Sequence, residues 1–227
     1  MKEFQSTYYF DVTNVSFRDI FQTKYCWEVL GKTLQQYIQK NLKSEIRGEV
    51  QNGAYIVGDN IFIGEGTVVE PGAYIIGPTI IGKNCEVRHG AYIRGNVLVG
   101  NNCVIGHTTE IKSSIMLNGS KAGHFAYIGD SILGNNVNLG AGTKLANLKV
   151  VEGNVYIKID DKNIDSGLRK FGAIIGDNTE IGCNSVTSPG TLIGKNSTLY
   201  SCTVTRGFYP PNSIIKLRQN LDITRKE

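Results

Sequence analysis

Two cations, Arg94 and Lys112, stand eighteen residues apart, and each directly follows an isoleucine, Ile93 and Ile111. Two histidines, His89 and His107, share that separation, and the third, His124, lies seventeen residues beyond His107. Arginine offers a planar fork of donors and lysine a compact point charge, so a fixed pair of them suits a phosphate. Imidazole titrates near neutrality and is the usual group for taking a proton from an attacking amine or hydroxyl. Anion binding and proton abstraction are therefore within reach, provided the chain brings eighteen-residue neighbours together.

The repeat pattern predicts that it does. Stepping by six from Val57 meets Ile63, Val69, Ile75, Ile81, Val87, Ile93, Val99, Ile105 and Ile111, all β-branched. The residue four further on is usually small: Thr67, Ala73, Thr79, Cys85, Ala91, Cys103 and Thr109. This is the hexapeptide signature of a parallel β-helix, in which three hexapeptides close one triangular coil and successive coils stack. The first position must be branched and apolar to fill a narrow prism, and the fifth must be small to fit near a corner. Cys85 and Cys103 take that fifth position and read as small buried hydrophobes rather than a redox pair.

In such a coil, residues eighteen apart stand one above the other at about 4.8 Å. Arg94 and Lys112 then repel unless an anion lies between or before them; a phosphate and a solvated basic column satisfy the column equally. His89 and His107 read as stacked surface histidines, with no close pair of the kind a catalytic zinc needs, so no metal is expected. His124 sits in residues 119–144, where the six-residue count loses its phase, with Lys121 before it and Tyr127, Asp130, Asn138 and Gly-Ala-Gly-Thr after it. The expectation is that the slip falls at residues 118–127 and frees the backbone to hold His124 in a groove.

The count resumes at Leu133, Leu139 and Leu145, and again at Ile175, Ile181, Thr187, Ile193 and Leu199. The charged, alternating stretch between, residues 152–173, predicts a hairpin or loop leaving the coil. Trp27, Leu30, Leu34, Tyr37 or Ile38, and Leu42 recur at helical spacing, predicting a helix that covers the open end of the stack. The division expected is an extension over 1–45, a β-helix over 46–207 and a tail over 208–227.

Composition agrees with one soluble domain: 227 residues, 41% hydrophobic and 19% charged. No apolar run suits a membrane span or a signal peptide, and neither a membrane nor a nucleic-acid partner is expected. Five cysteines without a Cys-x-x-Cys pair argue for a reducing cytoplasm, and the net charge of +4 suits small anionic substrates.

The run KAGHFAYIGDSILGNNVNLGAGTKLAN, with RKFGAIIGDN further on, resembles the glucosamine-1-phosphate N-acetyltransferase half of the bifunctional enzyme of UDP-N-acetylglucosamine synthesis. The resemblance implies an all-β, left-handed parallel β-helix, a homotrimer with its sites between neighbouring helices, and acetyl-CoA as co-substrate. It implies His124 as general base, with Arg94, Lys112 and Lys170 on the sugar phosphate. Tyr127, Asn138 and Asn147 would contact the sugar and its phosphate, and Glu110 would stand near them. The backbone of Ala141 would meet the thioester, and Ser201 and Arg218 would hold the pantetheine and the terminal phosphate of CoA.

Three departures stand out. Cys183 takes the place of a serine at the thioester, Leu148 follows Asn147 where the family has tyrosine, and the excursion is longer. The nucleotidyltransferase half is not expected here, which would leave that step to a separate uridyltransferase. Two other readings are compatible: O-acyl transfer to a UDP-amino sugar, as in lipid A synthesis, and a non-catalytic trimeric module.

Overall fold

The structure, a computed structural model, describes residues 2–226. Its body is a left-handed parallel β-helix with three sheets as the sides of a prism. Sheet A has nine strands, from Glu45–Ile46 to Phe208–Tyr209, and sheet B nine, from Glu49–Val50 to Ile214–Ile215. Sheet C has eight, from Tyr55–Val57 to Val204–Thr205. The interior is the column of aliphatic residues read from the repeat, buried from Ile63 to Leu199, except that its first member, Val57, is exposed and Ile56 pairs with Ile75 in its place. Corner hydroxyls and thiols find backbone carbonyls: Thr67 Oγ1 donates to Gly82 O at 2.7 Å, and Cys85 Sγ to Gly100 O at 3.2 Å. That removes the cost of burying them unpaired. The last two strands of sheets A and B pair beyond residue 207, so the coil continues into the segment expected as a tail.

The phase slip lies elsewhere than expected. Val99 pairs with Met116, Ile105 with Ala122 and Ile111 with Ile128, so this coil has seventeen residues; the next, to Leu133, has seventeen again. Inward positions stay six apart through Ala122 and fall to five only from Ile111 to Met116 and from Ile128 to Leu133. The lost residue is thus at the corner between sheets C and A. One coil earlier that corner uses two left-handed residues, Gly95 and Asn96; here it uses one, Ser113 (φ 47°) and then Asp130 (φ 45°). Residues 118–127 keep the six-residue step, and His124 closes the strand Lys121–His124.

The amino-terminal extension also departs from expectation. Cys26–Val29 is a 3₁₀ turn and Lys32–Asn41 an α-helix, separated at Gly31 (φ 61°). Instead of capping the end of the stack, the extension lies along its flank. Phe4, Tyr9, Phe10, Trp27, Leu34 and Ile38 pack on the outward side of sheet A, against Leu98, Ile115, Ile132, Ile174 and Leu192. The antiparallel hairpin Tyr156–Ile159 and Lys162–Asp165 adds Ile157 and Ile159 to the same cluster. Sheet A is apolar on both faces, so it demands cover on its outer side as well as its inner one. Sheets B and C keep bare outer faces.

Candidate active site

One corner column runs the length of the molecule between sheets B and C. His107 pairs with His124, and the register of the neighbouring strands carries the column on to Ala141, Cys183 and Ser201. The three histidines share it but differ in their bonds. The Nδ1 atom of His89 lies 2.6 Å from Pro71 O, and that of His107 lies 2.9 Å from His89 O. A ring nitrogen facing a carbonyl oxygen must carry the proton and donate. The two rings stack at 5.5 Å. His124 breaks the series: Phe125 N–H donates to His107 O at 2.9 Å with no ring beside it, whereas His89 O accepts both the Thr108 N–H at 3.4 Å and the His107 ring. Phe125 also sets its ring edge-on to His107 at 5.3 Å. The exposed His124 imidazole has no hydrogen-bond partner among the described residues.

His124 opens on a groove of about 540 Å³ over the outer face of sheet B. Lys121, Gly123, Asn138, Gly140 and Ala141 line it, with Glu86 and Arg88 at one end. Asn138 Nδ2 donates to Glu180 Oε2 at 2.9 Å, and Arg88 is tied to Glu86 at 2.6 Å. No acceptor among the described residues meets the Ala141 N–H, whose carbonyl takes the Asn184 N–H at 2.8 Å. A free amide donor and a free imidazole therefore stand one coil apart at the edge of the groove.

The expected cations lie around the corner, on sheet C. Arg94 and Lys112 are stacked as their spacing requires, since Tyr92 and Ile93 pair with Glu110 and Ile111. Each already has a carboxylate. Arg94 donates to Glu110 Oε1 at 2.7 Å, which holds the guanidinium above its ordinary pKa. Lys112 Nζ stands 2.7 Å from Asp130 Oδ2, with side chains only 15% and 10% exposed. The shortened corner delivers that carboxylate, because Asp130 N–H also bonds Lys112 O at 3.1 Å. Asp130 Oδ2 accepts a second bond from Asn147 Nδ2, and Tyr127 donates its hydroxyl to Asn147 Oδ1 at 3.3 Å. Burial, reinforced by Glu110 and Asp130, pushes the Tyr127 phenol up, so it remains a donor at neutral pH. Lys170 lies exposed at the foot of the hairpin, bridged to Leu148 and followed by Phe171, whose N–H bonds Asn147 O at 2.9 Å.

The residues named from the sequence thus fall into two groups. His124, Asn138, Ala141, Cys183 and Ser201 share sheet B or its corner column, while Arg94, Glu110, Lys112, Tyr127, Asn147 and Lys170 share sheet C and its edge. Arg218 belongs to neither; it is exposed beyond the last strand, Ile214–Ile215, and does not line the groove. The sequence reading missed Arg88, Glu86 and Gly123 as groove residues and took Asp130 only as setting. Spacing gave no sure signal for Asp130, because in this seventeen-residue coil Lys112 pairs with Gly129. Among the described residues no three His, Cys, Asp or Glu side chains gather to hold a metal ion, and no helix is long and apolar enough to cross a membrane.

Comparison with known proteins fits this picture. The domain family described as the GMPPB C-terminal domain matches residues 75–162. The bifunctional protein GlmU of Methanococcus maripaludis (strain C7) is 38% identical over 200 residues, covering 88% of this chain and 48% of the relative. That of Methanococcus aeolicus is 36% identical over 171 residues, covering 75% and 41%. The chain therefore spans less than half the length of these curated relatives. The solved UDP-N-acetylglucosamine acyltransferase of Campylobacter jejuni superposes with a TM-score of 0.51 at 16% identity, over 71% of this chain and 69% of that one, a likeness of fold. Fold and site define the class, a hexapeptide-repeat protein of the left-handed β-helix type. Within that class the chain resembles an acetyltransferase-like domain, and its similarity runs to bifunctional GlmU proteins.

Proposed function

We propose that the chain transfers the acetyl group of acetyl-CoA to the amine of an amino-sugar phosphate, glucosamine 1-phosphate in the simplest case, for UDP-N-acetylglucosamine synthesis. The observation that carries this reading is the unpartnered His124 imidazole one coil below the unpaired Ala141 N–H. The imidazole takes a proton from the ammonium, the free amine attacks the thioester carbonyl, and the Ala141 N–H stabilises the oxyanion that forms. Collapse expels the CoA thiolate, which takes a proton, and leaves the amide. Asn138 orients the sugar beside His124. Cys183 and Ser201, next in the same column, give the pantetheine arm a path along the corner, and Arg218 from the exposed tail reaches its terminal phosphate. The anionic end of the sugar belongs with Arg94, Lys112 and Lys170, with Tyr127, Glu110 and Asn147 around it.

These two halves lie on different sides of one prism. With sheet A covered by its own extension, sheets B and C remain to meet other copies of the chain. A closed ring of three, each placing sheet C against the corner of the next, assembles complete sites, and C3 closure suits such a contact. The five unpaired cysteines support a reducing cytoplasm as part of this reading. The test is complementation. Arg94→Met/Lys112→Met and His124→Ala, each inactive in thiol-release assays with acetyl-CoA and glucosamine 1-phosphate, are unfolded together and refolded as mixed trimers. Recovered activity supports sites shared between copies. No recovery, from variants that do form mixed trimers, contradicts it. A wild-type chain inactive with this pair of substrates contradicts the reaction itself.

A further inference from the structure

Sheet B carries four glycines in one register column: Gly106, Gly123, Gly140 and Gly182. Three have a steric reason to be glycine. A Cβ on Gly106 would overlap the carbonyl of Gly123, one on Gly140 would stand 2.6 Å from Cys183 N, and one on Gly182 would overlap Ser201 N. Gly123 has no such reason, since nothing lies within 4 Å of the place its Cβ would take. It has no conformational reason either. Three other glycines have the same empty surroundings, Gly153, Gly167 and Gly207, and each has a positive φ; Gly123, inside the strand Lys121–His124, does not. A glycine in such a place forgoes stability, because alanine there would restrict the unfolded chain without straining the folded one. Stability left unused beside a site points to function.

The empty position lies on the groove, one residue before His124 and one coil below Gly140 and Ala141. Gly123, His124 and Ala141 line the same groove, so the empty place over Gly123 offers room for the acyl substituent of a thioester held between the imidazole and the Ala141 N–H. We propose that Gly123 is a specificity-determining residue: the space left by its missing side chain receives the acyl group of the donor thioester and limits its size. The inference rests on the acyl-CoA reading of the groove given above.

The test compares wild type, Gly123→Ala and Gly123→Ser with acetyl-, propionyl- and butyryl-CoA at saturating acceptor, alongside melting temperature. The expected result is a loss of about tenfold or more in kcat/KM for acetyl-CoA in Gly123→Ala, steeper for propionyl-CoA. The KM of the acceptor stays unchanged, the melting temperature is equal or higher, and Gly123→Ser shows the same order of donors. A wild-type donor profile in Gly123→Ala overturns the inference and leaves the acetyltransferase reading standing. So does an equal loss across donors with a lowered melting temperature. A wild-type protein that uses no acyl-CoA overturns the reading and the inference with it.

Discussion

Phe125 donates its backbone N–H to the carbonyl oxygen of His107 at 2.9 Å without a ring joining it, whereas His89 O accepts both the Thr108 N–H at 3.4 Å and His107 Nδ1 at 2.9 Å. His89 and His107 are each anchored through Nδ1 to the preceding coil, while His124 is left with both ring nitrogens free to meet a ligand. Identical residues in one register thus differ in whether the ring joins the backbone at the carbonyl below. Phe125 (φ 52°) and Thr108 (φ 53°) turn their amides to the carbonyl below in the same way.

The pair Lys112–Asp130 is more enclosed than Arg94–Glu110, whose side chains are 42% and 33% exposed. Asp130→Asn leaves a half-enclosed ammonium without its counter-charge and should cost about 1–3 kcal/mol of stability. Glu110→Gln should cost under about 1 kcal/mol, as exposed pairs do. Urea denaturation measures both, and equal losses would contradict the difference in enclosure. Lys112→Met should raise the acceptor KM and leave that of acetyl-CoA unchanged.

Trp27 is buried where the extension covers sheet A, stacked on Tyr25 at 4.8 Å. Trp27→Ala should destabilise the protein by about 3–5 kcal/mol, the cost of a large aromatic removed from a packed interior. Chemical denaturation followed by far-UV circular dichroism checks it. An unchanged midpoint would mean that the extension contributes nothing to holding sheet A.

Thiol reactivity should divide the cysteines in two. Cys183 and Cys202 are exposed, whereas Cys26, Cys85 and Cys103 are buried, and burial pushes the Cys26 thiol well up. Iodoacetamide at neutral pH should modify the first two in the native protein and the other three only on unfolding, as mass spectrometry reads directly. Acetyl-CoA should slow the labelling of Cys183, which stands directly above Ala141. Native labelling of Cys85 or Cys103 would contradict the closed interior.

Asp177 holds the extension to the coil: Oδ2 accepts the Asp11 N–H at 2.6 Å and Oδ1 the Asn135 N–H at 2.7 Å. Burial nevertheless raises its pKa above the ordinary 3.8. A carboxyl with a raised folded pKa contributes stability that is complete below the unfolded value and is lost as pH rises through the folded one. The urea midpoint of wild type minus that of Asp177→Asn should therefore fall from about pH 3.8 upward and level off toward neutrality. A difference that grows over that range would contradict the assignment.

The interior was legible because a prism repeats one environment every six residues, and only branched or small side chains fit it. The slip was misplaced for a specific reason. Six beyond Ile111 lies Leu117, which is apolar and buried, but under the extension on the outside of sheet A rather than in the prism. The cover of sheet A was written in consecutive apolar residues, Val97–Leu98–Val99, Ile132–Leu133 and Ile174–Ile175, where a one-sided strand would alternate. The column of cations was legible from spacing alone. Its carboxylate partners were not, because Glu110 reaches Arg94 from sixteen residues away and Asp130 depends on a corner one residue short.

The central claim is that the free imidazole of His124 performs the proton transfer in an acetyl transfer. The most direct measurement is single-turnover acetylation by His124→Ala, with calorimetry of acetyl-CoA and sugar-phosphate binding on the same preparation. The account predicts a rate reduced by about 10²–10⁴ with both affinities nearly unchanged. A variant that binds both substrates and turns over at the wild-type rate would contradict it.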